Sequence, residues 1–583
     1  MLAAGLLLLA PAPWRALNAA RETPDLPSVD REDGVLSAKK VREVQTALVT
    51  LGLYSGAIDG RVSGNLSNAI RLYQQQAGLK IDGRITEQLL AHLERSLRVS
   101  HLLRDLDSSR RQSQDAAREA LAGHPATRDL ITGGGVEPAD PTRDPTPCFD
   151  KPTVRCLLAE AFESAKAVAK RDLRDWAFGE ILAAQARAGL SAQAMETTRR
   201  IQDPRLIMVA LRDIAMAQAR AGREAEALAA AEVIPESRTQ IEAVAVIAET
   251  QSRHGYTQAA GETAHLLFSM ARHLRAPADQ VAFATKAAVT LHRSGDSKAA
   301  DAALNLARAA ADGKLGDRGK EAAWRQIAGA LADVDRLDAA LEAARKVDHG
   351  SDRAPVLIAA AQSAIRAGDP DKALALAREI AAERYRVLVL AEVAAAKARA
   401  GDWPAANRIM EEAFADAEGI SLPFARSYAI SRLVLALSQM AGMKGPNGSG
   451  FAERFARARD AAEGINDPRL RAHVLFDLAA RQRRSHQPLD AVAASEERAL
   501  DATGQVPSAV SRVWVHGDIA TLHARTQGQE QAWIAFDRGM AEARRIDNSW
   551  SRARALAKMA QTLIDLVTPG TAAAESELAP EQP

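Results

Sequence analysis

The chain has 583 residues, 47% hydrophobic, 26% charged and only 4% aromatic, and a single core stops growing near ~250–300 residues, so two or more folding units are expected. Lys and Arg together number 75 against 74 Asp and Glu, a balance that supplies no basic field and argues against nucleic acid or anionic lipid as the ligand. Abundant alanine lets helices approach closely and favours an all-α chain over a β-sandwich.

In chain order, Leu2 to Ala10 form an apolar run too short for the roughly 20 residues of a membrane span. With small residues at Ala12, Ala19 and Ala20 it reads as a secretory signal over residues 1–20, without the usual basic start. No other run is apolar enough to cross a membrane. Residues 21–37 read as a linker, 38–95 as a compact helical unit and 96–150 as a helix followed by a flexible, Gly- and Pro-containing linker. Residues 151–567 read as continuous helical repeats, and 568–583 as a disordered tail.

In the first unit Val41, Val44, Leu48 and Leu51 fall at helical spacing, and Gly52 can supply a left-handed C-cap. Asp59-Gly60 and Asp82-Gly83 are turn dipeptides, Ile70, Tyr73 and Ala77 form a second stripe, and Thr86 opens a helix carrying Leu89, Leu90 and Leu93. The order Val44-Gln45, Leu51-Gly52-Leu53-Tyr54, Gly56, Ile58-Asp59-Gly60, Tyr73-Gln74, Gly78-Leu79, Asp82-Gly83 resembles the small three-helix peptidoglycan-binding domain of many wall hydrolases. Where that family carries Phe-Gly and a Thr before its second helix, this chain has Val62-Ser63 and Leu66, which alters the loop and predicts weaker glycan binding. The resemblance implies a groove for peptidoglycan in which Gln45, Tyr54, Asp59, Gly60 and Gln74 supply amide-pairing groups and an apolar plate. The same side chains equally fit structural work, with Tyr54 and Tyr73 in the core and Asp59 capping a turn.

Cys148 and Cys156 stand eight apart beside Pro147 and Pro152, which predicts a local disulfide in an oxidising compartment, with two buried thiols as the alternative.

From Ile181 one unit recurs: a helix, a tight turn and a second helix. Its turn residue is Gly189, Gly222, Gly255, Gly295, Asp335, Gly368, Gly401 and, after a weak register over residues 402–485, His486. Alanine stands five residues after each, from Ala194 and Ala227 to Ala406 and Ala491. The pattern resembles tetratricopeptide-type repeats, whose hairpins stack into a superhelix with a concave partner-binding face. Seventeen residues before the turn stands a ladder of Arg205, Arg238, Arg318, Arg384 and Arg469, each just after an acid. A cation in a helix's first turn opposes the macrodipole, so these arginines are expected to reach the previous hairpin's carbonyls or pair with an acid. The competing role is to line an anionic-ligand groove.

No phosphate loop, HExxH or dinucleotide fingerprint is present; Gly442 to Phe451 lacks the closing Lys-Ser/Thr, and the 12 histidines are scattered. The sequence therefore leads to a non-catalytic, cofactor-free, metal-free periplasmic protein that binds peptidoglycan through residues 38–95 and protein partners through the repeats. The alternatives are a cytoplasmic scaffold with a degenerate wall-binding module, or an accessory subunit of a wall hydrolase.

Overall fold

The computed structural model describes residues 37–132, 137–313, 315–347, 350–443, 451–525 and 528–568. The signal over 1–20, the linker 21–36, most of Gly442–Phe451 and nearly all of the tail lie outside these residues. All secondary structure among the described residues is helical, and the chain divides into two units, Met1–Ala116 and Ala117–Pro580.

The first unit holds α1 (Ala38–Thr50), α2 (Gly64–Ala77) and the start of α3 (Glu87–Gly123). Ser37 and Ser63 accept from Lys39 and Leu66 amides as N-caps, and Gly78 ends α2 in the left-handed region. Val41, Val44, Leu48, Leu66, Ile70, Tyr73, Leu89 and Leu93 make a separate core. Farther along α3, Leu102, Leu103 and Leu106 are exposed.

The second unit opens with the end of α3, α4 (Arg128–Thr132), α5 (Thr146–Asp150) and α6 (Val154–Lys166). Eleven helices then share one role, the first arm of a hairpin. They are α7 (Arg171–Arg187), α9 (Pro204–Arg220), α11 (Ser237–Arg253), α13 (Pro277–Arg293), α15 (Asp317–Asp333) and α17 (Gly350–Arg366). The series goes on with α19 (Glu383–Arg399), α21 (Pro423–Ala441), α23 (Pro468–Arg484), α25 (Ala509–Arg525) and α27 (Ser549–Val567). Second arms lie between them: α8 (Ser191–Thr198), α10 (Glu224–Glu232), α12 (Thr257–Arg272), α14 (Ser297–Ala311) and α16 (Leu337–Ala344). The rest are α18 (Pro370–Glu379), α20 (Trp403–Gly419), α22 (Phe451–Ala462), α24 (Leu489–Gly504) and α26 (Gln529–Arg544).

Sequence explains the turns. Each of the eight turn residues has positive φ, including the non-glycines Asp335 (59°) and His486 (50°). The following amide closes back onto the helix, as in Leu190 N to Gln185 O (2.8 Å) and Tyr256 N to Gln251 O (2.9 Å). This Schellman closure satisfies carbonyls that would otherwise be orphaned. Ala194, Ala227, Ala260, Ala300, Ala340, Ala373 and Ala406 are buried where the arms cross, whereas Ala491 is half-buried and Val492 takes its place. The weak register at 402–485 has a local cause: α21 runs to Ala441, and Gly442 stays right-handed at φ −78°.

Two features differ from the sequence expectation. Parts of the expected linker are ordered: Thr127 and Leu130 are buried, Glu137 bonds Lys166 (3.2 Å), and Arg143 bonds Glu160 (2.7 Å). Enough polar anchors exist there to outweigh the glycine and proline signal. More consequentially, the stacked hairpins close on themselves, because the last hairpin meets the first. α27 packs against α25, α6 and α7, and α6, which precedes every hairpin in sequence, serves as the second arm of α27. Arg554 bonds the Glu180 carboxylate (2.9 and 3.0 Å), Arg187 bonds Asp565, and Arg544 bonds Asp150 while lying over the Phe149 ring. Trp176, Trp514 and Trp550 surround the Arg554 guanidinium at 4.7–5.8 Å. The described residues of α6 to α27 thus form a closed ring with first arms side by side inside, second arms outside, and one continuous core.

Candidate functional site

The two Asp-Gly turns of the N-terminal unit share one construction. Gln45 on α1 is fully buried; its amide donates to Asp59 Oδ1 (2.9 Å) and Arg61 O (3.1 Å) and accepts from Gly60 N (2.8 Å). Gln74 on α2 donates to Asp82 Oδ1 (2.9 Å) and accepts from the amides of Asp82 (3.1 Å) and Gly83 (2.9 Å). Gly60 and Gly83 have positive φ, and a Cβ at Gly60 would lie 2.8 Å from Ala38 O. The Gln45 amide holds the Asp59 carboxyl below its ordinary pKa, and the Arg84 amide does the same for Asp82. With all polar atoms of Gln45 and Gln74 turned inward to the loops, these residues shape the loops from behind.

Tyr54 is half-buried, donating to Ala57 O (3.3 Å), and Gly56 leaves space for its ring, since a Cβ there would collide with the hydroxyl. Tyr73 is fully buried, its hydroxyl bonded to His92 Nδ1 (2.6 Å) and Ser96 Oγ (2.8 Å). What the loop presents outward is Tyr54, Ile58 (46% exposed), Asp59 and Val62 (55% exposed). Val62 sits beside the α2 N-cap, Ser63. A disulfide joins Cys148 to Cys156, tying α5 to α6 next to the Arg544–Asp150 pair.

The ladder arginines lie at the starts of the first arms. Arg205 and Arg469 bond their own N-cap acids, Asp203 (2.7 Å) and Asp467 (3.3 Å). Arg238 is 64% exposed and bonds Glu242 (3.3 Å), Arg384 lies over the Tyr385 ring at 4.6 Å, and Arg318 is exposed. The carbonyl contact expected of them is made two residues after Arg384 and Arg469, by Arg386 and Arg471, and by arginines at the starts of other first arms. Arg353, Arg386, Arg426, Arg512 and Arg552 donate to Val347, Ile380, Ile420, Val506 and Ile546 carbonyls at 2.7–3.0 Å, each six residues upstream at the end of the preceding second arm. Gln280 does the same to Leu274 (2.9 Å). Arg386 also pairs with Asp416, and Arg512 with Glu542. Cβ directions decide this: the later position faces the previous hairpin, and the earlier one faces out. Reading the repeats for a six-residue interval between Ile or Val and Arg would have found it.

A second recurring position also becomes visible only in the ring. First arms close with Arg187, Arg220, Arg253, Arg293, Arg366, Arg399, Arg484 and Arg525, with Asp333 ending α15. These residues lie on the stripe opposite the one packed on the second arms, so they line the inside of one mouth. The convergence shows at Asp333, which feels Arg293 and Arg366 from both flanking helices and Glu249 from α11. Deeper on the same stripe are Asp213 and Glu392; burial pushes the carboxyls of Asp213, Asp333 and Glu392 above their ordinary pKa. Among the described residues no three His, Cys, Asp or Glu side chains gather as a metal site, and no helix is long and apolar enough to cross a membrane.

No curated protein matches the chain. Among solved structures, Ton1535 from Thermococcus onnurineus NA1 is similar at 16% identity, over 58% of this chain and 97% of that one, with a TM-score of 0.25. A STAND ATPase with a tetratricopeptide repeat sensor, PH0952 from Pyrococcus horikoshii, is similar at 9% identity over 66% of each chain (TM-score 0.23). A circular tandem repeat protein is similar at 13% identity, over 72% of this chain and 98% of that one (TM-score 0.14). The chain as a whole is a helical-repeat protein, and its residues 37–93 match the family model of the peptidoglycan binding domain PG_binding_1.

Proposed function

We propose that this chain is a non-catalytic cell-envelope protein that holds peptidoglycan with its N-terminal unit and a protein partner with its ring. The observation that carries the wall-binding half is the family match over residues 37–93, together with the two Gln-clamped turns that fix the loop bearing Tyr54, Ile58, Asp59 and Val62. That loop offers apolar plates beside a carboxylate and backbone amides, which suits a ligand made of sugar and peptide. Gln45, Gly60 and Gln74 act by holding the loops in shape. The Cys148–Cys156 disulfide supports a periplasmic location, because such bonds persist in oxidising compartments.

Full-length protein should co-sediment with purified peptidoglycan, and Ile58→Asp with Val62→Asp should move it to the supernatant while the helical circular dichroism stays unchanged. If the parent stays in the supernatant while a typical domain of the family pellets, the wall-binding reading fails. Fractionation of the full chain tests location: recovery in the cytoplasm alone would overturn export.

A further inference from the structure

The arginines that end the inner helices have a simple local explanation, since a cation at a helix C-terminus complements the macrodipole. The outer helices have the same dipole and lack the pattern. Of the ten second arms that follow a first arm, only α12 and α26 end in arginine, whereas eight of eleven first arms do. The helix-ending arginines are therefore gathered at one mouth of the ring. Eight of the eleven first arms carry arginine at this position and two carry aspartate, Asp333 and Asp565, with Glu249 and Asp335 close by. Some are already engaged: Arg187 with Asp565, Arg253 with Glu249, and Arg366 with Asp335 (3.2 Å). Arg399 and Arg484 are exposed, and Arg293, Arg399 and Arg484 have no ion-pair partner among the described residues. Desolvation, then repulsion from Arg481, lowers the Arg484 pKa, and attraction to Asp477 offsets only part of this.

Size limits what can enter. Eleven helices at ~9–10 Å spacing place their axes on a circle roughly 30–35 Å across, and inward side chains leave an opening of about 20 Å. A folded domain of 100 residues, with a radius of gyration near ~13 Å, is too wide. An extended strand fits. Side chains two or three residues apart on a strand are separated by roughly 7–10 Å, comparable to neighbouring arginines on the mouth.

We propose that the arginine mouth of the ring docks an acidic, extended polypeptide segment with carboxylates at every second or third residue. The inference rests on the reading that the ring binds a protein, and it names the chemistry of that protein. Arginine forks pair with carboxylates bidentately, and a semicircle of them fixes direction as well as affinity. A uniformly anionic polymer such as polyphosphate fits less well, because on the next level down Glu180, Asp213, Asp477 and Asp518 already hold Arg554, Arg212, Arg481 and Lys558, so those cations are not free for phosphate. A peptide meets that level with backbone amides and mixed side chains.

The test uses full-length protein and a fluorescent twelve-residue peptide with Glu at alternate positions, followed by anisotropy. A Gln-for-Glu peptide and inorganic polyphosphate are the comparison arms. The Glu peptide should bind at least about tenfold tighter than both, and more weakly as salt rises. Arg293→Ala, Arg399→Ala and Arg484→Ala together should lower affinity at least about tenfold. The same number of charges removed from outer helices, by Lys298→Ala, Arg408→Ala and Arg498→Ala, should change it less than about twofold. Equal losses in the two triple variants, or polyphosphate binding as tightly as the peptide, would overturn the proposal. So would a gain of tenfold or more on deleting residues 569–583, because the mouth would then belong to the chain's own Glu575, Glu577 and Glu581. Wall co-sedimentation is read separately, so loss of peptide binding with sedimentation intact rejects this inference alone.

Discussion

At the residue scale, two arginines only two positions apart illustrate how side-chain direction sets energetic weight. Arg386 is 20% exposed and joins the Ile380 carbonyl to the Asp416 carboxylate, whereas Arg384 is exposed over the Tyr385 ring. Arg386→Ala strands a partly buried carbonyl and an acid and should cost about 1–3 kcal/mol; Arg384→Ala should cost under about 0.5. Arg386→Lys should recover little, since a point charge cannot span both partners. Local hydrogen exchange across α18–α20 measures the difference, and similar exchange in the two alanine variants would refute it. His516 supplies a pH test. It is buried on α25, faces Arg538, Glu542 and Arg512, and desolvation lowers its pKa from 6.5 to about 4. The unfolded chain takes up this proton near 6.5 and the folded chain only near 4. Stability present above pH 6.5 is therefore lost as pH falls between those values, by about 3 kcal/mol at the lower end. His516→Gln should flatten that slope relative to the parent in melts from about pH 4 to 7. Parallel slopes would mean that other groups control it.

At the element scale, the hairpin turns separate backbone strain from packing. His486 adopts a left-handed backbone at φ 50°, and its ring makes no hydrogen bond among the described residues. His486→Gly should therefore slow local opening of α23–α24 by an amount equivalent to about 1 kcal/mol. Gly255 has φ +75°, and a Cβ added there would meet nothing within 4 Å. Gly255→Ala should thus destabilise its hairpin by about 1 kcal/mol through backbone alone. Gly222→Ala should cost more, because that Cβ would also press on the Tyr256 hydroxyl at 3.2 Å. Hydrogen exchange at each hairpin gives the ranking, and equal effects at the two glycines would show that Tyr256 yields freely.

At the scale of the whole ring, closure rests on a seam between residues nearly 400 positions apart. Small rotations of about 33° per hairpin bring eleven hairpins back to their start, and α6 then covers the apolar face of α27. Reversing both seam acids, with Glu180→Arg and Asp565→Arg, places like charges against Arg554 and Arg187. The variant should open, with a larger radius of gyration in small-angle scattering and a less cooperative melt. An unchanged radius would assign closure to the apolar packing of α6 on α27 alone.

The sequence by itself determined the helices, the eight left-handed turns, the buried alanines and the small N-terminal unit, because each is written within a few neighbouring residues. Positive φ at Asp335 and His486 followed from register even without glycine. The use of Gln45 and Gln74 was open, since an amide that recognises a ligand and one that braces a turn look alike until their partners are placed. Tertiary structure supplied their partners within the chain, the two Asp-Gly turns. It also decided that Arg386 and not Arg384 reaches the neighbouring carbonyl, and that helix-ending arginines meet at one mouth. Those outcomes depend on where distant backbones bring side chains, and closure in particular is the sum of eleven rotations, none of which any single repeat encodes.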